Sequence, residues 1–260
     1  MRIVVLGSGS GGNCTLVETG RTRLLIDAGF GMRSLNRRLA EAGVEGASID
    51  AVLITHGHRD HVAGAKSLLK DRRAVLYVNE GTRHETPLLD GLDRCEIFEA
   101  GRPFSIGDFE VEAFSVPHDA AQPVGFSIRS NGTRGVLATD IGQVTSELVE
   151  QARGCRWLVL EANHDEEMLK IGPYPWELKR RVLGNRGHLS NTALAEFALH
   201  QFDGTATHLF LAHLSRKNNH PELALETINR ALGSRPASGN GHRTQVLLTD
   251  QFKPSIVINV

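Results

Sequence analysis

The chain has 260 residues, and 29 lysines and arginines against 30 aspartates and glutamates leave a net charge of −1. That balance excludes the cationic bias of a general polyanion binder, so any contact with nucleic acid has to come from a local patch. The length suits one compact domain, 1–260, with one large core, and the three cysteines, Cys14, Cys95 and Cys155, show neither a disulfide framework nor CxxC metal spacing.

The opening MRIVVL gives way at once to GSGSGG, far short of a signal h-region or the ~20 apolar residues of a bilayer span. A soluble protein of the reducing cytoplasm, with no membrane partner, is expected. MRIVVL, CTLVET and TRLLIDAG read as consecutive strands separated by glycine-rich turns. SLNRRLAEAG reads as a short helix stopped by Gly43. DAVLIT is a continuous apolar strand, THGHRDH a ligand-rich turn, and VAGAKSLLK a helix. AVLYV, FEVEAFSV, VGFSIRS and GVLATD point to a second antiparallel or mixed sheet, with Phe109, Val111, Ala113 and Ser115 sharing one face of the second run. TSELVEQA, PWELKRRVLG, SNTALAEFALHQF and PELALETINRAL are helical, RWLVLEA and THLFLAH are buried strands, and TQVLLT and PSIVINV close the sheet. Only RPASGNGHR, 235–243, looks loop-like. Strand-rich halves that each run on into helices predict helices outside two packed sheets.

Histidine is the compositional outlier at 12 residues. His56 and His58 alternate, so an extended segment turns both to one side, while Asp60 and His61 begin the next turn and fold back toward them. Imidazole with carboxylate is the ligand chemistry of zinc, manganese or iron, and open catalytic sites combine the two with water. Three further candidates are each the first polar residue after a buried strand: His118 after FSVP, Asp140 after GVLAT and His213 after HLFLA. The count fits two divalent ions, one held by His56, His58 and His118, the other by Asp60, His61 and His213, with Asp140 bridging. Paired ions ~3.5–4 Å apart lower the pKa of bound water and neutralise an anionic substrate.

HGHRDH with His118, Asp140 and His213 in this order resembles the metallo-β-lactamase superfamily across essentially the whole chain. The resemblance implies an α+β fold, the four-layer αββα sandwich, with a two-metal site at the sheet edges. Asp27, in LLIDAG, matches the aspartate that in this family orients a ligand by hydrogen bonding; an ordinary strand-end turn is its other reading. The complete His/Asp set, with Asp60 both ligand and catalytic residue, implies a true hydrolase.

Within the superfamily, SGSGGNCTLVE resembles the opening of the YycJ/WalJ-like group of metal-dependent 5′-to-3′ DNA exonucleases. The blocks LEANHDEEML, GPYP, GHLSNTALAEFA and LAHLSRKNNHPELA match the same group. GHLSNTA followed by AHLS also resembles ribonuclease Z. By that correspondence His188 is a histidine that binds no metal. It stands at a helix start with Ser190 and Asn191, where a phosphate would let it contact a non-bridging oxygen or act as general acid. The alternative is a solvated loop histidine with Ser190 as helix cap. His164 either lines the cleft as a catalytic residue or caps a short helix. Arg216, Lys217, Asn218 and Asn219 are further candidates for phosphate contact. GSGSGGN reads as a tight strand connection at the site's edge, since the strand CTLVETG, not a helix, follows it.

Only 22 positions separate His118 from Asp140 and 73 separate Asp140 from His213. The first gap has no room for the tRNA-gripping arm of ribonuclease Z, and the second is too short for the large inserted domain of the β-CASP nucleases. The resemblance therefore implies a stripped-down two-metal nuclease with Zn2+ or Mn2+, iron being possible, acting on nucleic acid, most of all DNA. Two alternatives stay open: a small-molecule hydrolase of cyclic phosphodiesters or thioesters, and a non-catalytic metal-binding regulatory protein. Oligomeric state leaves no mark on the sequence.

Overall fold

A computed structural model describes residues 1–44, 49–71, 74–235 and 243–260; most of the loop expected over 235–243 lies outside these residues. The chain sorts into two compact units, one of Met1–Ser115, Ala120–Thr133 and Asp250–Val260, the other of Val116–Asp119 and Arg134–Thr249.

The first unit opens with the consecutive strands the glycine-rich turns predict, paired as an antiparallel meander: β1 (Arg2–Gly7), β2 (Cys14–Glu18) and β3 (Arg23–Ile26). β4 (Ala51–Leu53), β5 (Val75–Val78) and β6 (Cys95–Ile97) extend the sheet in parallel from β3. β1 to β3 are almost wholly buried along their lengths, so both faces are covered and the apolar runs are unbroken. Val4, Leu6, Leu16, Leu25, Val52 and Leu76 pack with Leu35 and Leu39 of the helix Met32–Glu41. That helix ends where expected, with Gly43 at φ +69°, a backbone conformation that glycine adopts without steric cost.

β7 (Phe104–Ile106), β8 (Phe109–Ser115) and β9 (Val124–Ser130) form an antiparallel array in the same unit. The alternation expected along β8 holds through Ala113 and then breaks: Phe114 is fully buried and Ser115 exposed. Phe114 pairs with Gly125, which has no side chain, and the strand is covered on both faces there.

The second unit carries β10 (Thr133–Ala138), β11 (Trp157–Glu161), β12 (His208–Ala212) and β13 (Gln245–Leu248), all parallel. The Trp157 indole lies over Gly135, its partner in register, where a Cβ would sit 1.9 Å from the ring. The helices Ser146–Ala152, Trp176–Leu183, Asn191–His200 and Pro221–Gly233 fall where periodicity places them; a shorter one, Glu166–Ile171, follows β11. The closing PSIVINV contributes only β14 (Ile258–Asn259), which returns to the first unit and pairs antiparallel with β1. Among the described residues, no helix is long and apolar enough to cross a membrane.

The helix expected over VAGAKSLLK is two, Arg59–Val62 and Ala65–Asp71. The break is at Gly64, whose N–H donates to Ala28 O at 2.7 Å and whose Cβ, if present, would lie 1.8 Å from Phe30 O. Beside it, three backbones meet at Gly29. Asn13 N–H donates to Asp60 O (2.8 Å), Gly29 N–H to Asn13 O (3.0 Å) and Ala28 N–H to His61 O (2.7 Å). A Cβ on Gly29 would lie 1.7 Å from Asp60 O. The glycine-rich connection, the end of β3 and the histidine turn are thus stitched together through a residue with no room for a side chain. Gly29→Ala is expected to lower stability by at least about 1–3 kcal/mol, the usual cost of overpacking, and to lower metal content with it. Thermal melts and elemental analysis check this; a variant with wild-type Tm and metal content contradicts it.

Candidate functional site

β4 and Ile54 form a buried apolar rod that ends at Thr55, so the turn after it leaves a rigid edge. Asp27 ends the neighbouring strand β3 at φ +62°, its N–H donating to Leu53 O at 2.8 Å. Its carboxylate accepts Thr55 N–H at 2.9 Å and the Thr55 hydroxyl. It also lies 2.7 Å from His61 Nδ1. Burial pushes the Asp27 carboxyl above its ordinary range, while the His61 charge and these hydrogen bonds oppose that shift. In its neutral form the fully buried His61, donating Nδ1–H to Asp27, keeps its lone pair on Nε2, which lies 3.5 Å from Asp60 Oδ2. His56 Nε2 stands 3.1 Å from His58 Nδ1, and the His56 ring is 4.0 Å from that of His61, centroid to centroid. His56, His58, Asp60 and His61 are therefore brought together within the turn, as their spacing predicts.

Asn13, which sequence reasoning passed over, lines the same edge. Its Nδ2 lies 3.2 Å from Asp60 Oδ2 and 3.0 Å from His61 Nε2. Its Oδ1 accepts Gly9 N–H and the Ser8 hydroxyl. Gly12 N–H donates to Gly9 O, and Gly11 N–H to Gln251 Oε1. The glycine-rich turn folds around its own asparagine, with these N–H groups engaged by the protein instead of held out for a phosphate.

In the second unit, Asp140 stands two residues after β10 at φ +56°, and His213 directly after β12 at φ +55°. Between them, β11 ends on Glu161, which is fully buried. Glu161 Oε1 lies 2.8 Å from His188 Nδ1 and 2.9 Å from His213 Nδ1. Its Oε2 accepts Ile141 N–H at 2.7 Å and Leu189 N–H at 3.3 Å. One ligand atom from each of Asp140, Glu161, His188 and His213 lies within 4.8 Å of the others. Burial alone would raise the Glu161 carboxyl, but the charge and hydrogen bonds of His188 and the hydrogen bond of His213 hold it well below the ordinary carboxylate range. The converse holds for His188: burial disfavours its cation, yet Glu161 outweighs burial and raises its pKa. His118 Nδ1 is 3.0 Å from Gly187 O, which leaves Nε2 pointing 3.9 Å from Asp140 Oδ1. Burial lowers the His118 pKa and favours its neutral, ligating form.

Other candidates prove to be structural. Ser190 caps the helix Asn191–His200 through Ala193 N–H and donates to Glu166 Oε1, while Asn191 N–H donates to His164 O. The helix start expected to receive phosphate is largely closed by the protein itself. The side chains of Asn191 and Asn219 are buried and hydrogen bonded to each other, and Asn219 Nδ2 also reaches Ala162 O and Asn163 O. Their role is to tie the end of β11 to the loop after β12, in place of the phosphate contact expected. Asn218 is buried too, whereas Arg216 and Lys217 are exposed. Asp165, not His164, caps the helix Glu166–Ile171. The His164 ring is buried, with neither nitrogen hydrogen bonded among the described residues. Glu161, like Asn13, was missed by sequence reasoning. The block LEANHD was noticed, but a carboxylate ending the apolar run WLVL carries no spacing signal of its own.

Residues 22–213 match the model of the β-lactamase superfamily domain. The exodeoxyribonuclease YycJ of Bacillus anthracis is 35% identical over 254 residues, 96% of each chain. The exodeoxyribonuclease WalJ of Streptococcus pneumoniae is 37% identical over 229 residues, 86% of this chain and 85% of that one. Among solved structures, the metallo-β-lactamase fold protein YhfI of Bacillus subtilis superposes with a TM-score of 0.74 at 15% identity, covering 99% of this chain and 98% of that one.

Glu161→Gln keeps the shape of the side chain and removes the charge that orients two imidazoles. Metal affinity, read by competition with a chelating dye, is expected to fall about 10–100-fold, the usual cost of losing such a partner. Unchanged affinity contradicts the role given to Glu161.

Proposed function

This chain belongs to the metallo-β-lactamase superfamily, and we propose that within it the chain is a two-metal phosphodiesterase acting on nucleic acid, most specifically a 5′-to-3′ DNA exonuclease of the cytoplasm. The fold, the αββα sandwich of that superfamily, is the one the sequence led us to expect. The substrate reading rests on the two exodeoxyribonucleases, which match at 35–37% identity over most of the chain.

The donor chemistry fits divalent ions. Asp27 and Glu161 each engage the Nδ1 of a histidine, an arrangement that fixes the tautomer and raises the basicity of the other ring nitrogen. In this reading His56, His58 and His118 would hold one ion and Asp60, His61 and His213 the second, with Asp140 as a ligand that would serve both. Zinc, manganese and iron all suit such ligands. Bound there, the ions would supply an activated water and neutralise charge on a phosphodiester.

The observation that carries the mechanism is the bifurcated carboxylate of Glu161. One oxygen serves His213, a proposed ligand, and His188, which no ion claims in this reading. Glu161 favours the His188 form that carries an Nε2–H, the proton this reading assigns to the leaving oxygen or to contact with a non-bridging oxygen. Asp140 Oδ1, 3.7 Å from His188 Nδ1, adds to the field favouring that cation. Arg216 and Lys217, exposed in the loop after His213, supply positive charge for backbone phosphates.

The test is incubation with Mn2+ or Zn2+ and DNA labelled at either end, single- and double-stranded, alongside RNA and a chromogenic phosphodiester. A 5′ label is expected to appear at once as mononucleotide, while a 3′ label passes through a ladder of shortening products. Asp60→Ala is expected to abolish cleavage, and His188→Ala to lower kcat by about 10²–10⁴, the usual contribution of a positioned acid. Cleavage of the chromogenic compound alone overturns the nuclease reading. A His188→Ala enzyme with wild-type kcat overturns the acid assignment.

A further inference from the structure

We infer that the segment 171–183, with Tyr174 and Trp176 as its rings and Lys217 beside it, is a stacking platform for single-stranded DNA leading to His188. This rests on the nuclease reading and adds to it the form of the substrate.

Ile171 and Trp176 are among the most exposed large apolar side chains of the protein, at 85% and 66%. Exposed apolar side chains gathered in one short segment mark an interaction site more than the same residues scattered singly. The surrounding sequence, IGPYPWELKRRVLGNR, has one acidic residue, Glu177, against Lys179, Arg180, Arg181 and Arg186, in a chain whose overall charge is −1. This is the local patch that the composition demanded of any nucleic-acid contact. Arg181 is ion-paired with Asp119 and Arg186 Nε donates to His118 O, and the side chains of Arg180, Arg186, Arg216 and Lys217 all reach the surface.

The geometry joins rings to cations. Lys217 Nζ lies 5.9 Å from the centre of the Tyr174 ring. The two segments meet at Gly172, where a Cβ would lie 2.3 Å from Asn218 Oδ1. Pro173 and Pro175 flank Tyr174, and Pro175 stands directly before the helix Trp176–Leu183. Two prolines restrict the backbone, so the rings are presented with little entropy left to lose on binding. The helix then runs straight into the proposed acid: Val182 O accepts His188 N–H at 2.9 Å.

An exposed tryptophan and a half-buried tyrosine followed by lysine and arginine favour an anionic, stackable partner over an apolar protein face. Every base has a π-face, and only an unpaired strand presents it. The platform accordingly grips a single strand near its scissile end and contributes affinity that the small catalytic core lacks.

The experiment uses the metal-loaded full chain and a phosphorothioate oligothymidylate that resists cleavage. The protein has two tryptophans, and Trp157 is fully buried, so Trp176 reports contact. Fluorescence quenching on titration is expected, and Trp176→Ala should weaken binding about 5–100-fold by anisotropy. Trp176→Phe should restore most of the affinity, which loss of folding would not allow. Lys217→Gln should flatten the slope of log Kd against log salt by about 0.7, one phosphate's worth for a single strand. The KM for single-stranded DNA should rise with Kd. Wild-type affinity in Trp176→Ala, or absent quenching at saturation, overturns the platform. So does a wild-type dimer that Trp176→Ala converts to monomer, because the face would then be a contact between copies. If the wild type digests DNA but Trp176→Ala binds normally, only the platform falls. If it binds single strands through Trp176 without cutting them, only the nuclease reading falls.

Discussion

Asp27 Oδ2 lies 2.7 Å from His61 Nδ1, and Glu161 Oε1 lies 2.9 Å from His213 Nδ1, with all four side chains buried. A carboxylate withdrawn from water costs several kcal/mol unless its lone pairs are filled. Here they are filled by imidazole N–H groups and by the backbone of the loops that carry the site. Asp27 takes Thr55 N–H, and Glu161 takes Ile141 N–H and Leu189 N–H. The same bonds that make the buried charge tolerable therefore set where the loops run and which ring nitrogen each histidine keeps for a ligand.

That constraint explains the backbone as well. Asp27, Asp140 and His213 each end a strand with positive φ, a conformation uncommon outside glycine that costs on the order of 1–3 kcal/mol where it is strained. Rigid parallel strands on one side and the buried carboxylates on the other hold these residues where an ordinary turn would let them relax. The polar network extends through Asn191 and Asn219, which lock the end of β11 against the loop after His213. The candidate metal ligands are carried by strand ends, whereas the proposed surface for substrate lies on the more exposed segments around Trp176 and Lys217.

What could be read from sequence followed physical signal strength. His56, His58, Asp60 and His61 stood out because four ligand groups in six positions have no structural explanation. His118, Asp140 and His213 stood out because buried strands deliver their first polar residue to a rim. Glu161 did the same after WLVL, but it was absorbed into its block, since a lone carboxylate gives no hint of the two imidazoles it will meet. Asn13 was hidden by the glycines around it, whose turn depends on its amide. Asn191 and Asn219 were misjudged because polarity near a motif suggests substrate, while only coordinates reveal that two amides satisfy each other. The split helix at Gly64 followed from a backbone crossing that local periodicity does not encode.

The central claim is that two sets of imidazoles, each steered by a buried carboxylate, exist to hold a pair of ions. Metal stoichiometry of the purified chain tests it most directly. The account predicts two equivalents of divalent metal per chain after equilibration with Mn2+ or Zn2+, falling to about one in His58→Ala while the fold, read by circular dichroism, persists. A wild-type chain that saturates at one equivalent or binds none contradicts it.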